Sequence, residues 1–547
     1  MTQTRTFLIL AWLMVATLLW MEWGKERDAA VAPAPAIPTA AQATTPVTPG
    51  IPVASVPGTA PTAPPAVAAA LPVVRLRTDV LALELNGRDV TRAELLQYRQ
   101  TRDAGSPPVV LFDADPARHF AAHSAWRGTD GRELVFQPEG GVRDVALADG
   151  AAAAEVRFVA TSPAGVQLRR TFTLPRGSYA LRVRDELVNT GTGTWTGDIE
   201  RRLERVPPLV KSGMTNPEAF SLNGAAWWSP EEKYEKRKYP DYVDDGPLDR
   251  QVTGGWVGLS QHYFLGAWVP QKDQAALYSL ATRGSLYSID ARGPRITLAP
   301  GQRFSSEATL WVGPKLAEQL EKTAPGLERA MDYGLFTVLS QPIHWLLTQL
   351  HKLTHNWGWA IVLLVVVIKL LLYPLSAAQY KSMAKMRKFQ PRIEQLKERY
   401  GDDKQKFQMA MLELYKKEKI NPAGGCLPIL IQMPVFLALY YVLLEGVELR
   451  QAPWIMGWVN DLTARDPFFI LPIVNGAVMW ATQKMTPMVG MDPMQKKMMQ
   501  MMPLVMAVMF AFFPAGLVLY WVTNGALGMA QQWWNTKRYA EEPPAKA

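Results

Sequence analysis

The sequence predicts a multi-domain membrane protein: an α-helical six-span membrane core, an antiparallel β-sandwich outside the membrane and a helical hairpin on the cytoplasmic side. Three observations predict it. Apolar residues concentrate near the N-terminus and after about residue 335, the stretch between them alternates polar and apolar with period two, and basic residues collect in loops between the apolar runs. The chain has 547 residues, enough for several domains, and its 48% hydrophobic content with 19 Trp and 23 Met is high for a soluble protein. One cysteine, Cys426, excludes an intrachain disulfide and any multi-cysteine metal centre. No Walker-type glycine loop is present, so nucleotide hydrolysis is not expected; no catalytic residue, metal or cofactor is assigned.

Residues 1–24 read as an N-terminal transmembrane anchor, because Thr6 to Trp23 is apolar behind Arg5 and Trp20 and Trp23 suit a membrane interface. The small-residue match at Ala30 to Ala32 lies too far beyond the apolar core for cleavage, so the anchor is expected to stay. Residues 25–72 form an Ala/Pro-rich linker that cannot bury a core. Residues 73–315 are the sandwich. Val166, Leu168, Phe172 and Leu174 alternate, and Tyr179, Leu181 and Val183 resume the pattern after a turn at Pro175 to Ser178. Further strands fit at Val80 to Leu85, Val156 to Thr161, Ile296 to Leu298 and Ala308 to Val312. His119, His123 and His262 belong to no local motif and read as structural or surface residues.

Residues 316–356 are expected to be connecting and interfacial amphipathic helices: Leu339, Ile343, Leu346, Leu350 and Leu353 make an apolar stripe beside His344, Gln349, His351 and Lys352. Residues 357–376 form the second transmembrane helix, long enough for a hydrocarbon core of about 30 Å. Lys369 stands inside it. A lysine there costs roughly 2.5–3.5 kcal/mol, which directs it toward protein or water rather than lipid, although snorkelling to the basic flank is an open alternative. Residues 377–423 form the cytoplasmic hairpin: apolar residues from Met383 to Tyr400 recur at helical spacing, Gly401 to Asp403 break the pattern, and Phe407, Met411 and Leu414 resume it. Between Lys381 and Lys419, 12 basic residues outnumber 6 acids.

Residues 424–446 are the third transmembrane helix, with Gln432 and Pro434 inside it, a pairing that suits a helix lining a polar cavity or a simple helix kink. Residues 447–466 carry no basic surplus and form an outside loop; residues 467–483, with Pro472 and Asn475, are a short fourth span. Residues 484–497 hold Lys484, Lys496 and Lys497 and lie inside; residues 498–513 and 514–534 form a transmembrane hairpin turning at Phe513 to Gly516; residues 535–547 are a cytoplasmic tail with Lys537 and Arg538. Six spans from a cytoplasmic N-terminus place every basic loop inside, so loop charge and span parity agree. Methionines crowd the region from Met479 to Met509, which fits either a surface for varied apolar partners or ordinary lipid-facing packing.

The motifs YPLSAAQYKSMAKMRKFQP from Tyr373, GDDKQ from Gly401, NPAGGCLPILIQMPVFLALYYVL from Asn421, VELRQAP from Val447, DPMQ from Asp492 and FPAGLVLYW from Phe513 resemble the YidC family of bacterial membrane protein insertases. The preceding anchor, linker and sandwich match its Gram-negative type, with a large periplasmic domain. The resemblance implies a membrane insertase and chaperone, not an enzyme, in the bacterial inner membrane, multi-pass, with both termini cytoplasmic. It implies a hydrophilic groove open to cytoplasm and lipid, with a cation at the position of Lys369. Most relatives carry Arg there, and Lys keeps the charge without the planar five-donor fork. Gln432, Trp521 and Asn524 are then expected to line the groove, with Met433, Phe436, Met506 and Met509 as the surface along which the substrate's apolar segment slides. The implied partners are nascent inner-membrane proteins, the Sec translocon, the ribosome through the cytoplasmic loops, and membrane lipids, with no direct nucleic-acid specificity. Transfer of apolar surface into lipid, about 0.8 kcal/mol per buried methylene, supplies the free energy without nucleotide. Two other classes compete. A secondary transporter explains an intramembrane Lys, but the spans show no internal repeat; a carbohydrate enzyme in the sandwich predicts that deleting most of residues 73–314 abolishes activity, whereas insertase function is expected to survive that deletion.

Overall fold

The structure is a computed structural model that describes residues 71–103, 105–209, 217–219, 221–400, 403–417, 427–486 and 493–540. The expected anchor over 1–24, the linker up to residue 70, Cys426 and the last residues of the tail lie outside the described residues.

From Val74 to Pro314 the chain forms strands in two sheets, one eleven-stranded and one nine-stranded. The alternation read from the sequence is an alternation of burial: in Val166–Pro175 every second side chain points into the core. That strand pairs antiparallel with Ala180–Asn189, which pairs in turn with Arg303–Pro314 at the centre of the nine-stranded sheet. In the larger sheet Trp195–Arg205 takes the centre, between Phe120–Gly128 and Leu286–Arg292. The sheets face each other across Trp126, Phe158, Phe172, Trp268 and Trp311, all nearly or fully buried. Polar groups also cross this core. Arg170 reaches from the smaller sheet to the carbonyls of Gly87 (2.9 Å) and Ser124 (2.6 Å) on the larger.

After the sandwich the chain is helical: α1 (Ala317–Thr323), α2 (Thr337–Thr354), α3 (Trp357–Leu371), α4 (Tyr373–Lys388), α5 (Gln390–Tyr400), α6 (Lys404–Lys417), α7 (Leu427–Glu445), α8 (Ile470–Met485), α9 (Pro493–Phe510) and α10 (Ala515–Ala540). Asn356 caps α3, its side chain accepting the Trp359 amide. The expected span over 357–376 is not one straight helix. It breaks at Leu372, and α3 meets the first two turns of α4 at 64°. Pro374 accounts for the break: it has no N–H for the Leu370 carbonyl, and its ring crowds that carbonyl. The Leu372 amide instead bonds to the carbonyls of Ile368 and Leu370.

Among the described residues no single helix is long and apolar enough to cross a membrane, while the bent pair at Leu372 has the length and composition together. The polar start of α9 (Gln495, Lys496, Lys497) and the polar end of α10 (Gln531, Gln532, Asn535) shorten the apolar windows of those helices. α3 and α8 both pack on α10, α9 lies on α8, and α5 packs on α6. The loop over 447–466 rests on the start of this bundle: the Ala515 and Gly516 amides bond to the carbonyls of Ala464 (2.6 Å) and Leu462 (2.8 Å), and Asn356 Nδ2 donates to the Trp454 carbonyl (2.9 Å). Asp466 caps α8, accepting from the Leu471 amide at 2.7 Å and from Trp458 Nε1 at 2.7 Å.

Candidate functional site

Lys369 lies on α3 three residues before the break, and only 9% of it is exposed. Among the described residues its ammonium has no hydrogen-bond or ion-pair partner. It borders a cavity of about 240 Å³ between α3, α7 and α10. α3 contributes Val365, Ile368 and Lys369; α7 contributes Gln432, Met433, Val435, Phe436 and Leu439; α10 contributes Tyr520, Trp521 and Asn524. Trp521, Asn524 and Gly528 share one face of α10 at spacings of three and four residues. Gly528 lies directly beside the cation, since a Cβ there would stand 3.5 Å from Lys369 Nζ, an ordinary contact. The Gly528 carbonyl accepts from Tyr380 Oη at 3.1 Å, which ties α4 to α10 beside the cation.

The cavity has a polar part and an aromatic part. Lys369, Gln432 and Asn524 make the first. Phe436 stacks toward Tyr520 (6.0 Å) and edges onto Trp521 (5.1 Å), and Phe510 closes against the other side of Trp521 (4.3 Å). Buried Trp521 Nε1 has no hydrogen-bond acceptor among the described residues. An uncompensated ammonium, an indole N–H and two amides on one small space form a site for an acceptor-rich group such as a carboxylate.

Six of the eight residues expected from the sequence thus border one cavity: Lys369, Gln432, Met433, Phe436, Trp521 and Asn524. Met506 and Met509 do not line it; both are half-buried on α9. The outward apolar face of α9 is made instead by Met498, Met501, Leu504, Val505 and Val508. Val435, Leu439, Tyr520 and Tyr380 were not singled out by sequence; all four sit inside the quoted motifs, but only the fold turns them to the site. The three sandwich histidines are engaged: His119 with Glu204 (3.0 Å), His123 with Asp89 (2.6 Å), and buried His262 with the Leu444 carbonyl (2.9 Å). Among the described residues no cluster of His, Cys, Asp or Glu has the makings of a metal site.

Residues 349–542 match the family described as 60Kd inner membrane protein, and residues 73–346 match the YidC periplasmic domain. The membrane protein insertase YidC of Stenotrophomonas maltophilia is 57% identical over 560 residues, covering 99% of this chain and 98% of that protein. The chain belongs to the YidC family. The insertase of the same name from Xanthomonas campestris pv. campestris is 55% identical over 568 residues, again covering 99% of this chain and 98% of its own. A crystal structure of an active YidC insertase with its first transmembrane domain resolved covers 84% of this chain and 94% of its own at 20% identity, with a TM-score of 0.37. The β-rich part of the chain is therefore the YidC periplasmic domain, followed by the family's helical C-terminal part.

Proposed function

We propose that this chain is a membrane protein insertase of the bacterial inner membrane that works through the cavity at Lys369. The observation that carries the reading is the unpaired, nearly buried ammonium facing Gln432, Asn524 and Trp521. A buried charge without a partner destabilises the free protein, and it is compensated when an anionic group arrives. An acidic segment at the end of a substrate is such a group. It enters the cavity from the cytoplasm, and the substrate's apolar segment moves into lipid past Met433 and Phe436 on α7 and past α9, where Met506 and Met509 support the outward face. The cation shortens the polar path; burial of apolar surface in lipid drives the transfer.

The accompanying topology has six spans, with the 1–24 anchor first, both termini in the cytoplasm and the sandwich in the periplasm. The α5–α6 pair projects into the cytoplasm, where Lys397, Arg399, Lys416 and Lys417 offer positive charge to a ribosome. Chaperoning of inserted chains and work beside the Sec translocon belong to the same proposal, as does contact with lipid along α2 and α9. Neither a cofactor nor nucleotide is needed.

The test is insertion of a small single-span protein with an acidic translocated tail into liposomes that hold only this purified chain, without nucleotide, scored by protease protection. Insertion is expected to persist with Lys369→Arg and to fall toward the level of empty liposomes with Lys369→Ala. Equal insertion by all three proteins would remove the cation from the mechanism.

A further inference from the structure

The cavity exists because α7 stands away from the bundle. α3 and α8 each pack closely on α10, whereas α7 lies mainly on α2 and approaches α10 only sparsely. Something other than the bundle therefore sets how far α7 stands from Lys369. One anchor is α2, where Ser340 Oγ donates to the Ala438 carbonyl at 3.1 Å. The other is the sandwich. Glu445, the last residue of α7, is 1% exposed and accepts from Ser221 Oγ at 2.6 Å. Lys315, which follows directly on the Arg303–Pro314 strand and is fully buried, brings its ammonium within 3.5 Å of the same carboxylate. Its backbone is fixed in turn, the Lys315 amide bonding to the Tyr263 carbonyl at 2.9 Å. Beside it His262 Nε2 donates to the Leu444 carbonyl at 2.9 Å, taking one of the last carbonyls that a helix leaves without an internal partner.

A carboxylate at a helix C-terminus opposes the helix dipole, and burying it adds the cost of removing it from water. Glu445 bears both costs, and the groups that offset them come from the sandwich. The pair is also loosely made. At 3.5 Å Lys315 Nζ and Glu445 Oε2 stand at the far limit of a hydrogen bond, and the attraction of opposite charges supplies most of the contact. Such a contact fixes a position while it is closed and lets go without disrupting either domain's core.

We propose that Lys315, Ser221 and His262 form a latch on the end of α7, with Lys315 and Glu445 as positioning residues that set the width of the cavity. The proposal rests on the reading of that cavity as the insertion site. The sandwich then acts on insertion through α7, and release of the latch lets α7 swing away from Lys369 about its attachment to α2. Removing the whole sandwich differs from removing Lys315: deletion opens Glu445 to water, while Lys315→Met leaves it buried without a counter-ion.

The test places spin labels at Leu437 on α7 and Ile473 on α8 of the full chain in liposomes, on a Cys426→Ser background, and compares Lys315→Met, Lys315→Arg and Ser221→Ala. The parent is expected to give one narrow distance distribution. Lys315→Met broadens it toward longer distances and lowers insertion several-fold, while Lys315→Arg keeps both near the parent. A parent-like distribution in Lys315→Met overturns the latch, and so does broadening that Lys315→Arg shows as fully as Lys315→Met. If Lys315→Met fails to reach the membrane, Ser221→Ala decides: broadening supports the latch and a parent-like distribution overturns it. Lys369→Ala in the same insertion assay separates the two ideas, because undiminished insertion there removes the cavity reading and leaves the distances to report on the latch alone.

Discussion

The sandwich and the cavity each bury a cation, and they treat it in opposite ways. Arg170 in the sandwich core is fully buried and bonded through four of its five N–H donors: Nε and Nη2 bond to the two oxygens of Asp185 at 2.6 and 2.7 Å, and Nη1 takes two backbone carbonyls. Asp185 in turn accepts from Trp126 Nε1 at 2.8 Å. Lys369 is almost as buried, yet among the described residues nothing answers its charge. The planar fork of Arg suits a fixed network, and a single unanswered ammonium suits a ligand that comes and goes. Arg201, also buried in the sandwich, has only Ser306 Oγ as a side-chain hydrogen-bond partner among the described residues, so it is the position of Lys369 on a cavity, and not burial alone, that makes its charge available. Lys315 lies between these cases, paired with Glu445 but not fully bonded.

The comparison can be broken most directly at Arg170. Removing one partner of a buried, bonded pair costs about 3–5 kcal/mol, whereas replacing both with apolar residues of similar size costs far less. Arg170→Met should therefore unfold the sandwich at markedly lower urea, and Arg170→Met with Asp185→Leu should recover much of the loss, as read by tryptophan fluorescence of the full chain in detergent. Lys369→Met should leave the same transition at or above that of the parent, because no partner is stranded. Equal losses at Arg170 and Lys369 would erase the distinction.

A smaller effect sharpens the intermediate case. Burial pushes the His262 imidazole down to about 3; the Leu444 carbonyl pulls it back up, and Lys315 and Arg450 add to the depression. Its ordinary value is 6.5, so between those limits the opened junction binds a proton that the closed junction refuses. Stability of the closed junction is complete above about pH 7 and declines as the pH falls. Between pH 7 and pH 5.5 the loss is about 1 kcal/mol, to be measured as faster hydrogen exchange of the Leu444 and Glu445 amides at matched intrinsic rates. His262→Gln, which keeps a donor and does not titrate, should abolish that pH dependence.

Legibility in the sequence followed the range of the interactions. Strands such as Val166–Pro175 were visible because an alternating burial pattern repeats along a few residues, and Lys369 was visible because a charge interrupts an apolar run. Gln432 was visible as an amide inside an apolar run, Asn524 and Trp521 came from the family resemblance, and the fold brings all three to one cavity. Arg170 falls on the inward parity of Val166, Leu168, Phe172 and Leu174, and its partner Asp185 becomes visible only through the register of the neighbouring strand. The break at Leu372 had a local cause in Pro374, yet hydropathy ran through it unbroken. Met506 and Met509 were chosen by residue type, whereas helix packing decides that α9 turns other side chains outward. The Ser221 bond to Glu445 joins residues 224 positions apart and leaves no local pattern.

The measurement that bears most directly on the account is a charge exchange at Lys369. Two substrates that differ only in the sign of a short tail, one acidic and one basic, would be offered to liposomes holding either the parent or Lys369→Glu, with insertion scored by protease protection at low and high salt. The account predicts a crossing: the parent favours the acidic tail, Lys369→Glu favours the basic one, and both preferences shrink as salt rises. The same tail preference in both proteins would contradict it and place the selectivity elsewhere in the chain.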